Sequence, residues 1–317
     1  MSCLSIIDIN KIFVAGHNGM VGSAIAKRLG GNVMIADKKV LPLQRQEMVE
    51  EFFNYYRPDV VILAAAKVGG INANNTNRAE FIYENLQIQN NVIHSSHLFG
   101  VKKLLFFGSS CAYPKLISQP MREEELLSSP LEYTSEPFSV AKIAGIKMCE
   151  SYYKQYGCDF MSITPCSLYG PNDNFNFEEA HVLSSLLRRF HEAKIKNLSE
   201  VEVWGTGKVK REFMHVNDVA EACLHILQNV NAKSIYENGI SHLNVGSGIE
   251  ISIGELAEKI AKTTGFTGKI KYLSDKEGGT PRKLLDSARF KKLGWEHKID
   301  LDKGLESTYN WYRENYA

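Results

Sequence analysis

Three stretches of this chain set glycines, hydroxyls, a thiol and an ammonium where chemistry can be done. Residues 12–22 read IFVAGHNGMVG, with Gly16, Gly19 and Gly22 at three-residue spacing between an apolar run and a helix-like segment starting near Ser23. Glycines so placed serve a tight turn, close approach of backbone to a pyrophosphate, and close packing of helix on strand. The helix N-terminus then offers free N–H groups and its positive dipole end to the phosphates. The pattern predicts a dinucleotide-binding turn formed by Gly16, Asn18, Gly19, Met20, Val21 and Gly22. Asp37 ends the next apolar run, where a carboxylate accepts hydrogen bonds from ribose hydroxyls and repels a 2′-phosphate, favouring NAD(H). Lys38 and Lys39 follow at once and suit that phosphate, so NADP(H) stays open; the plain alternative is that all three are solvated loop charges.

The second stretch is GSSCAYP, which puts Ser109, Ser110 and Cys111 just past the apolar run 103–107. Ligands of open parallel sheets bind at the carboxyl ends of strands, so these side chains belong near a site. The third is EPFSVAKIAG, with Lys142 one helical turn after Phe138. Alone it reads as an ordinary amphipathic helix.

The elements that must position these residues alternate. Apolar runs at 11–15, 33–36, 60–64, 103–107 and 161–164 are separated by helix-like segments at 23–29, 46–55, 82–98 and 140–156. Such alternation predicts an α/β fold, a Rossmann-type doubly wound parallel sheet covered by helices on both faces. Past Gly170 the pattern changes to a loop (171–181), a helix at 181–194, a strand at 201–204, a helix at 218–228 and a strand at 242–245 that can return to the first sheet. The reading is a dinucleotide-binding domain over 1–172, with a return around 214–246, and a smaller mixed α/β substrate-binding domain over 173–317. At 317 residues two lobes are expected.

Bulk properties narrow the classes. A net charge of +1 gives no general attraction to nucleic acid or anionic membrane. No apolar stretch approaches the ~18 residues that span a bilayer, and the N-terminus MSCLSIIDIN lacks the features of a secretion signal. Cys3, Cys111, Cys149, Cys158, Cys166 and Cys223 are scattered without CxxC spacing, which predicts free thiols in the reducing cytoplasm and no metal site.

In combination, the glycine turn, AAAKVGGI (64–71), GSSCAYPK, the helix carrying Lys142 and LYGPND resemble an extended short-chain dehydrogenase. More narrowly, they resemble the GDP-L-fucose synthase family, epimerase-reductases of GDP-4-keto-6-deoxymannose. The likeness continues through HVLSSLLRRFHEA, VWGTGKVKREFMHVNDVA, LNVGSG and GGTPRKLLD. It implies C3/C5 epimerisation and C4 reduction of a GDP-linked keto-sugar with NADP(H). Ser109 would bond the sugar carbonyl, Cys111 and His181 would be the acid–base pair on carbon, and Lys142 would bind the nicotinamide ribose. Ala65 and His181 would also line the cofactor. Ser110, Arg189, Trp204, Arg211 and Lys283 would hold the GDP-sugar, guanidinium forks suiting its pyrophosphate. The family also implies a homodimer joined through helices 82–98 and 140–156. Without chemistry, Cys111 reads as a small buried hydrophobe, His181 as a helix-start residue and Arg188–Arg189 as an exposed helix face.

Three departures stand out. Phe138 occupies the place of the family Tyr that protonates the C4 oxygen, and general acid catalysis is typically worth about 10²–10⁴-fold. Tyr133, five residues earlier, lies before or at the helix start and is a poor substitute. Asn18 stands where the family carries an arginine for the 2′-phosphate, Asp37 stands near a second such arginine, and Ser167 lies where the family tends to have Asn, near the sugar. The alternatives are an impaired variant, a proton delivered by water or Ser109, or epimerisation kept while reduction is lost. Two other functions remain open: a C4 reductase of a GDP-4-keto-heptose or deoxy-sugar, and a non-catalytic nucleotide-binding protein.

Overall fold

VVIL at 60–63 has no polar side chain to turn toward water, and all four residues are fully buried. Burial on both faces is the mark of a parallel sheet sandwiched between helices. The structure, a computed structural model, describes residues 11–30, 33–177, 179–274 and 280–316. Residues 1–10, with Cys3, lie outside them, as do Gly278 and Gly279.

The chain runs β1 (Ile12–Ala15), α1 (Met20–Arg28), α2 (Gln46–Tyr56), β2 (Val60–Leu63), α3 (Ile71–Thr76), α4 (Arg78–Leu98), β3 (Lys103–Phe107), α5 (Glu136–Tyr156), β4 (Phe160–Pro165) and β5 (Ser167–Tyr169). It continues through α6 (Val182–Ile195), β6 (Glu200–Trp204), β7 (Lys210–His215), α7 (Val216–Asn229), α8 (Ala232–Tyr236) and β8 (Leu243–Val245). The last elements are β9 (Glu250–Ser252), α9 (Ile253–Thr264), β10 (Lys269–Leu273), β11 (Arg282–Lys283), α10 (Ala288–Lys292) and α11 (Leu301–Asn315).

Strands β1-β2-β3-β4-β8 form one parallel sheet in that order, in register Phe13↔Val61, Val61↔Leu104, Leu105↔Met161 and Ile163↔Leu243. Alternate residues feed two cores. Ile12, Val14, Val60, Ile62, Leu105 and Phe107 face a cluster shared with α1, α7 and α8, while Phe13, Ala15, Val61, Leu63, Leu104 and Phe106 face one shared with α2, α4 and α5. The fold is therefore the doubly wound α/β type. A third core joins α6, α9 and α11 to Val201, Val203 and Phe213. Leu285, Phe290 and Trp295 pack back on the first cluster.

The expected strand at 33–36 is corrected to a single bridge. Met34 pairs in parallel with Phe13, through Val14 N–H to the Met34 carbonyl (3.0 Å) and Met34 N–H to the Ile12 carbonyl (2.8 Å). Beyond it Ile35 is 51% exposed and the backbone turns, Val40 N–H donating to the Asp37 carbonyl. A run with a neighbour on one side only has little to bury there. That bridge still matters, because the chain passes from one side of β1 at Met34 to the other at β2. The reversal opens a crevice at the carboxyl end of β1, the usual ligand position in such sheets.

α1 starts at Met20, three residues before the position read from the sequence, with Gly19 as its N-cap. The preceding turn requires glycine. Gly16 has φ +92°, and a Cβ there would lie 2.6 Å from the Ala65 backbone nitrogen; one at Gly22 would collide with the Gly16 carbonyl.

Candidate active site

The glycine turn, Ala65 and the start of α1 meet at that crevice. Among the first amides of α1, those of Met20, Val21 and Gly22 have no acceptor within the helix, as at any helix start. Asp37 lies beside the turn, accepting from Asn18 Nδ2 (2.6 Å) with His17 Nε2 at 3.4 Å. His17 was not singled out from the sequence. Lys38 is exposed next to this pair.

β3 ends at Phe107, and the chain then bends into a short 3₁₀ turn at Ser110–Ala112. Ser109 caps that turn, its Oγ accepting from Cys111 N–H (3.2 Å). α5 comes alongside: Ser139 Oγ donates to the Cys111 carbonyl (2.7 Å), fixing helix and turn together. On α5, Phe138 and Lys142 are one helical turn apart and so on one face. Lys142 Nζ donates to the Phe107 carbonyl (2.8 Å) and lies 4.9 Å from the Phe106 ring centre and 5.7 Å from that of Phe138. Burial pulls the lysine from 10.5 down to about 7. Phe138 packs edge-on to Phe81 in a small cluster with Ala73, and Cys111 rests against that cluster. Tyr133 sits in a 3₁₀ turn ahead of α5, 66% exposed under Arg78.

Later in the chain, β11 lies parallel to β7 with Lys283 opposite Arg211. Lys283 Nζ reaches 3.4 Å from Cys111 Sγ. Burial pushes the thiol up, but the Lys283 charge, hydrogen bonds from Ser109 and Lys283, and the Arg211 charge outweigh it and leave the thiol below its ordinary 9.0. Spacing could not have found this contact, which spans 172 residues. Glu212 was also missed. It is 1% exposed and accepts from Gly248 N–H (2.6 Å) and Leu285 N–H (2.9 Å), holding the segment after β11.

His181 is the exposed N-cap of α6. The loop before it is fastened at several points. Gly70 N–H donates to the Glu179 carbonyl (2.7 Å), Ser184 Oγ donates to Asp173, and Arg188 donates to the Phe175 carbonyl (2.9 Å) while lying over the Phe177 ring. Burial raises Asp173 above the usual carboxylate range, partly offset by Ser184 and the His181 charge. The Glu179 contact ties the approach to His181 to the 64–71 run, next to Ala73 and Phe81, the residues that Cys111 touches.

Between α6 and β6, Arg189 lies over the Trp204 ring (5.5 Å) and donates to the Glu202 carbonyl (3.3 Å); the indole is 53% exposed and presents a flat face. Ser110 stands half-buried on the 3₁₀ turn. A hollow of about 510 Å³ lined by Arg28, Glu221, His225 and Trp295 lies at the far end of α1 and shares no residue with this site. Among the described residues no cluster of His, Cys, Asp and Glu could hold a metal ion, and no helix is long and apolar enough to cross a membrane.

A glycine turn at a sheet crevice, with a lysine one helical turn behind an aromatic ring, belongs to a recognisable class. The chain is a member of the NAD-dependent epimerase/dehydratase family, whose sequence pattern matches residues 12–246. More narrowly, it is 51% identical over 311 residues to GDP-L-fucose synthase of Escherichia coli (strain K12), covering 96% of this chain and 97% of that one. It is 53% identical over 309 residues to GDP-L-fucose synthase 1 of Arabidopsis thaliana, covering 96% and 94%. Among solved structures, the GDP-mannoheptose C4 reductase from Campylobacter jejuni with NADP bound superposes with a TM-score of 0.88 at 41% identity, covering 95% and 98%.

Proposed function

We propose that this chain is an NADP(H)-dependent epimerase-reductase of a GDP-4-keto-sugar, inverting C3 and C5 and reducing the C4 ketone. The observation that carries the reading is the grouping of Ser109, Cys111, Lys142 and Lys283 at the carboxyl end of β3, in a chain about half identical to GDP-L-fucose synthases along its length. Residues 1–172 with 214–246 hold the cofactor in this proposal, and 173–317 grip the sugar nucleotide.

The turn fits a dinucleotide: Gly16 has no room for a Cβ, and the α1 amides point out of the helix start. Gly16, Asn18, Gly19, Met20, Val21, Gly22 and Ala65 would hold the pyrophosphate side, Asp37 and Lys38 the adenosine ribose, and Lys142 and His181 the nicotinamide end. When bound, that group supplies a hydride to C4. Asp37 gives NADH a place as well as NADPH, since a ribose diol can share its carboxylate.

The C4 carbonyl acidifies the C–H bonds on either side of it. Cys111 and His181 exchange protons with C3 and C5, and Ser109 bonds the carbonyl as negative charge develops on its oxygen. Arg211 and Lys283 meet the diphosphate, Arg189 and Trp204 the base end, and Ser110 the sugar. Phe138 brings a ring without a proton, so the reductive step is the weak one in this chain. We also propose a homodimer through the outer faces of α4 and α5, in a reducing cytoplasm that suits the free cysteines; a monomer by light scattering at micromolar concentration would refute the dimer.

The test is mass spectrometry of GDP-4-keto-6-deoxymannose incubated with the protein and NADPH in D₂O. Deuterium should enter C3 or C5, and Cys111→Ser and His181→Asn should slow it strongly. Reduction without exchange would assign the chain to C4 reductases, the activity of the heptose relative. Neither exchange nor reduction would leave a nucleotide-binding protein.

A further inference from the structure

We propose that Lys283 is the positioning residue for Cys111, a fixed counter-charge that aims the sulfur and favours its thiolate in the free protein, beyond any contact it makes with substrate. The proposal rests on reading Cys111 as the acid–base group on carbon.

The ammonium is 3.4 Å from the sulfur, within reach of a hydrogen bond to sulfur. What makes the contact more than a chance approach is how firmly the lysine backbone is pinned. β11 has two residues, and Lys283 is held in register against Arg211 of β7. Arg282 Nε donates to Glu250 (2.6 Å) on one side of it. On the other side Leu284 N–H donates to Gln119 Oε1 (2.9 Å), and Leu285 N–H to the buried Glu212 (2.9 Å). Met121 N–H donates to the Leu284 carbonyl (2.7 Å), and Asp286 N–H returns the bond to the Met121 carbonyl (2.8 Å). Gln119 and Met121 belong to the loop that follows Cys111. The strand bearing the ammonium is thus stitched to the loop bearing the thiol.

The surroundings of the sulfur leave this charge little competition. Lys283 faces it from β11, Arg211 from β7 and Ser109 from its own turn, while Ala73, Phe81 and Phe138 supply apolar packing. Lys283 exerts the largest of the influences that oppose burial, and their net effect keeps the thiol below its ordinary value. A thiolate is the reactive form of cysteine, and nearby cations favour it.

The reactivity of Cys111 reads this out without substrate or turnover. Alkylation by iodoacetamide, followed by peptide mass spectrometry between pH 6 and 10, should give the wild-type chain a midpoint below that of an exposed free thiol in a reference peptide measured alongside. Lys283→Met should slow alkylation at pH 7 by about tenfold or more and move the midpoint up, while the plateau at high pH stays the same. Lys283→Arg should restore most of the rate. Lys283→Gln keeps a donor without the charge and should behave as the Met variant, and thermal melts confirm folding of each. A Lys283→Met profile that superimposes on the wild type, or a wild-type midpoint at or above that of a free thiol, overturns the proposal. If the profiles behave as expected but no deuterium enters C3 or C5, the proposed function fails and the assignment of Lys283 stands.

Discussion

Lys142→Met should make the cofactor-free protein more stable. The lysine is 4% exposed, and burial alone draws it from 10.5 to about 7. That difference corresponds to roughly 5 kcal/mol of destabilisation by the charged form at neutral and acid pH. Methionine matches the length of the stem and has no charge to desolvate, but it gives up the hydrogen bond to the Phe107 carbonyl, worth about 1–2 kcal/mol. The net expectation is a gain of about 2–4 kcal/mol at pH 6–7. The gain shrinks with pH and gives way to a small loss near pH 10, where the desolvation cost has gone and the missing hydrogen bond remains. Because the folded-state value lies below the unfolded one, the unfolded chain binds more protons between about 7 and 10.5, so wild-type stability rises through that window while the variant's does not. Urea unfolding followed by fluorescence of Trp204, Trp295 and Trp311 at pH 6, 8 and 10 measures the gap, with the m-value checked for each variant. Cofactor must be absent, since binding to the folded state alone would stabilise it. A Lys142→Met chain less stable than wild type at pH 6, or a gap that ignores pH, would refute the reasoning. A position that destabilises the fold and is nonetheless occupied by lysine is a position kept for function.

Two further expectations follow from the same region. Phe138→Tyr should raise C4 reduction by about 10²–10⁴-fold, because it places a phenol one turn from Lys142, and should leave deuterium exchange at C3 and C5 unchanged; an unaltered reduction rate would mean that another group already supplies the proton. Asp37→Ala should weaken NADH more than NADPH in a calorimetric titration if the carboxylate, held by Asn18 and His17, is the ribose acceptor we propose; equal losses for both cofactors would show that the carboxylate does not discriminate.

The sequence made the sheet legible where its own chemistry left no choice. Runs such as 60–63 and 103–107 can only be buried, and the glycine spacing at 16, 19 and 22 has few uses besides a tight strand–helix turn. It was misleading where an apolar run had one neighbour: 33–36 looks like the others, but at the edge beside β1 only Met34 finds a partner. β7 escaped notice because KREFMH opens on charged residues that look solvated, yet Glu212 is buried by accepting amides from Gly248 and Leu285. Local spacing carries no record of those donors. The site divides the same way. Ser109, Cys111 and Lys142 could be placed near a strand end from position alone, whereas the approach of Lys283 to the thiol depends on the pairing of β11 with β7. Resemblance supplied Lys283 as a residue for substrate and said nothing of the sulfur.

The strand that completes the main sheet comes late in the chain. β8, at Leu243–Val245, pairs with β4 only after α6, β6, β7, α7 and α8 have been made. During synthesis the edge of β4 therefore stays open while some eighty further residues emerge, and an open edge invites pairing with another chain. Cutting the gene after residue 172 would not release an independent cofactor-binding half. Such a fragment would carry Ile163, Thr164 and Pro165 without their partners and a core lacking Val219, Ile226, Leu243 and Val245, and its fate should be aggregation.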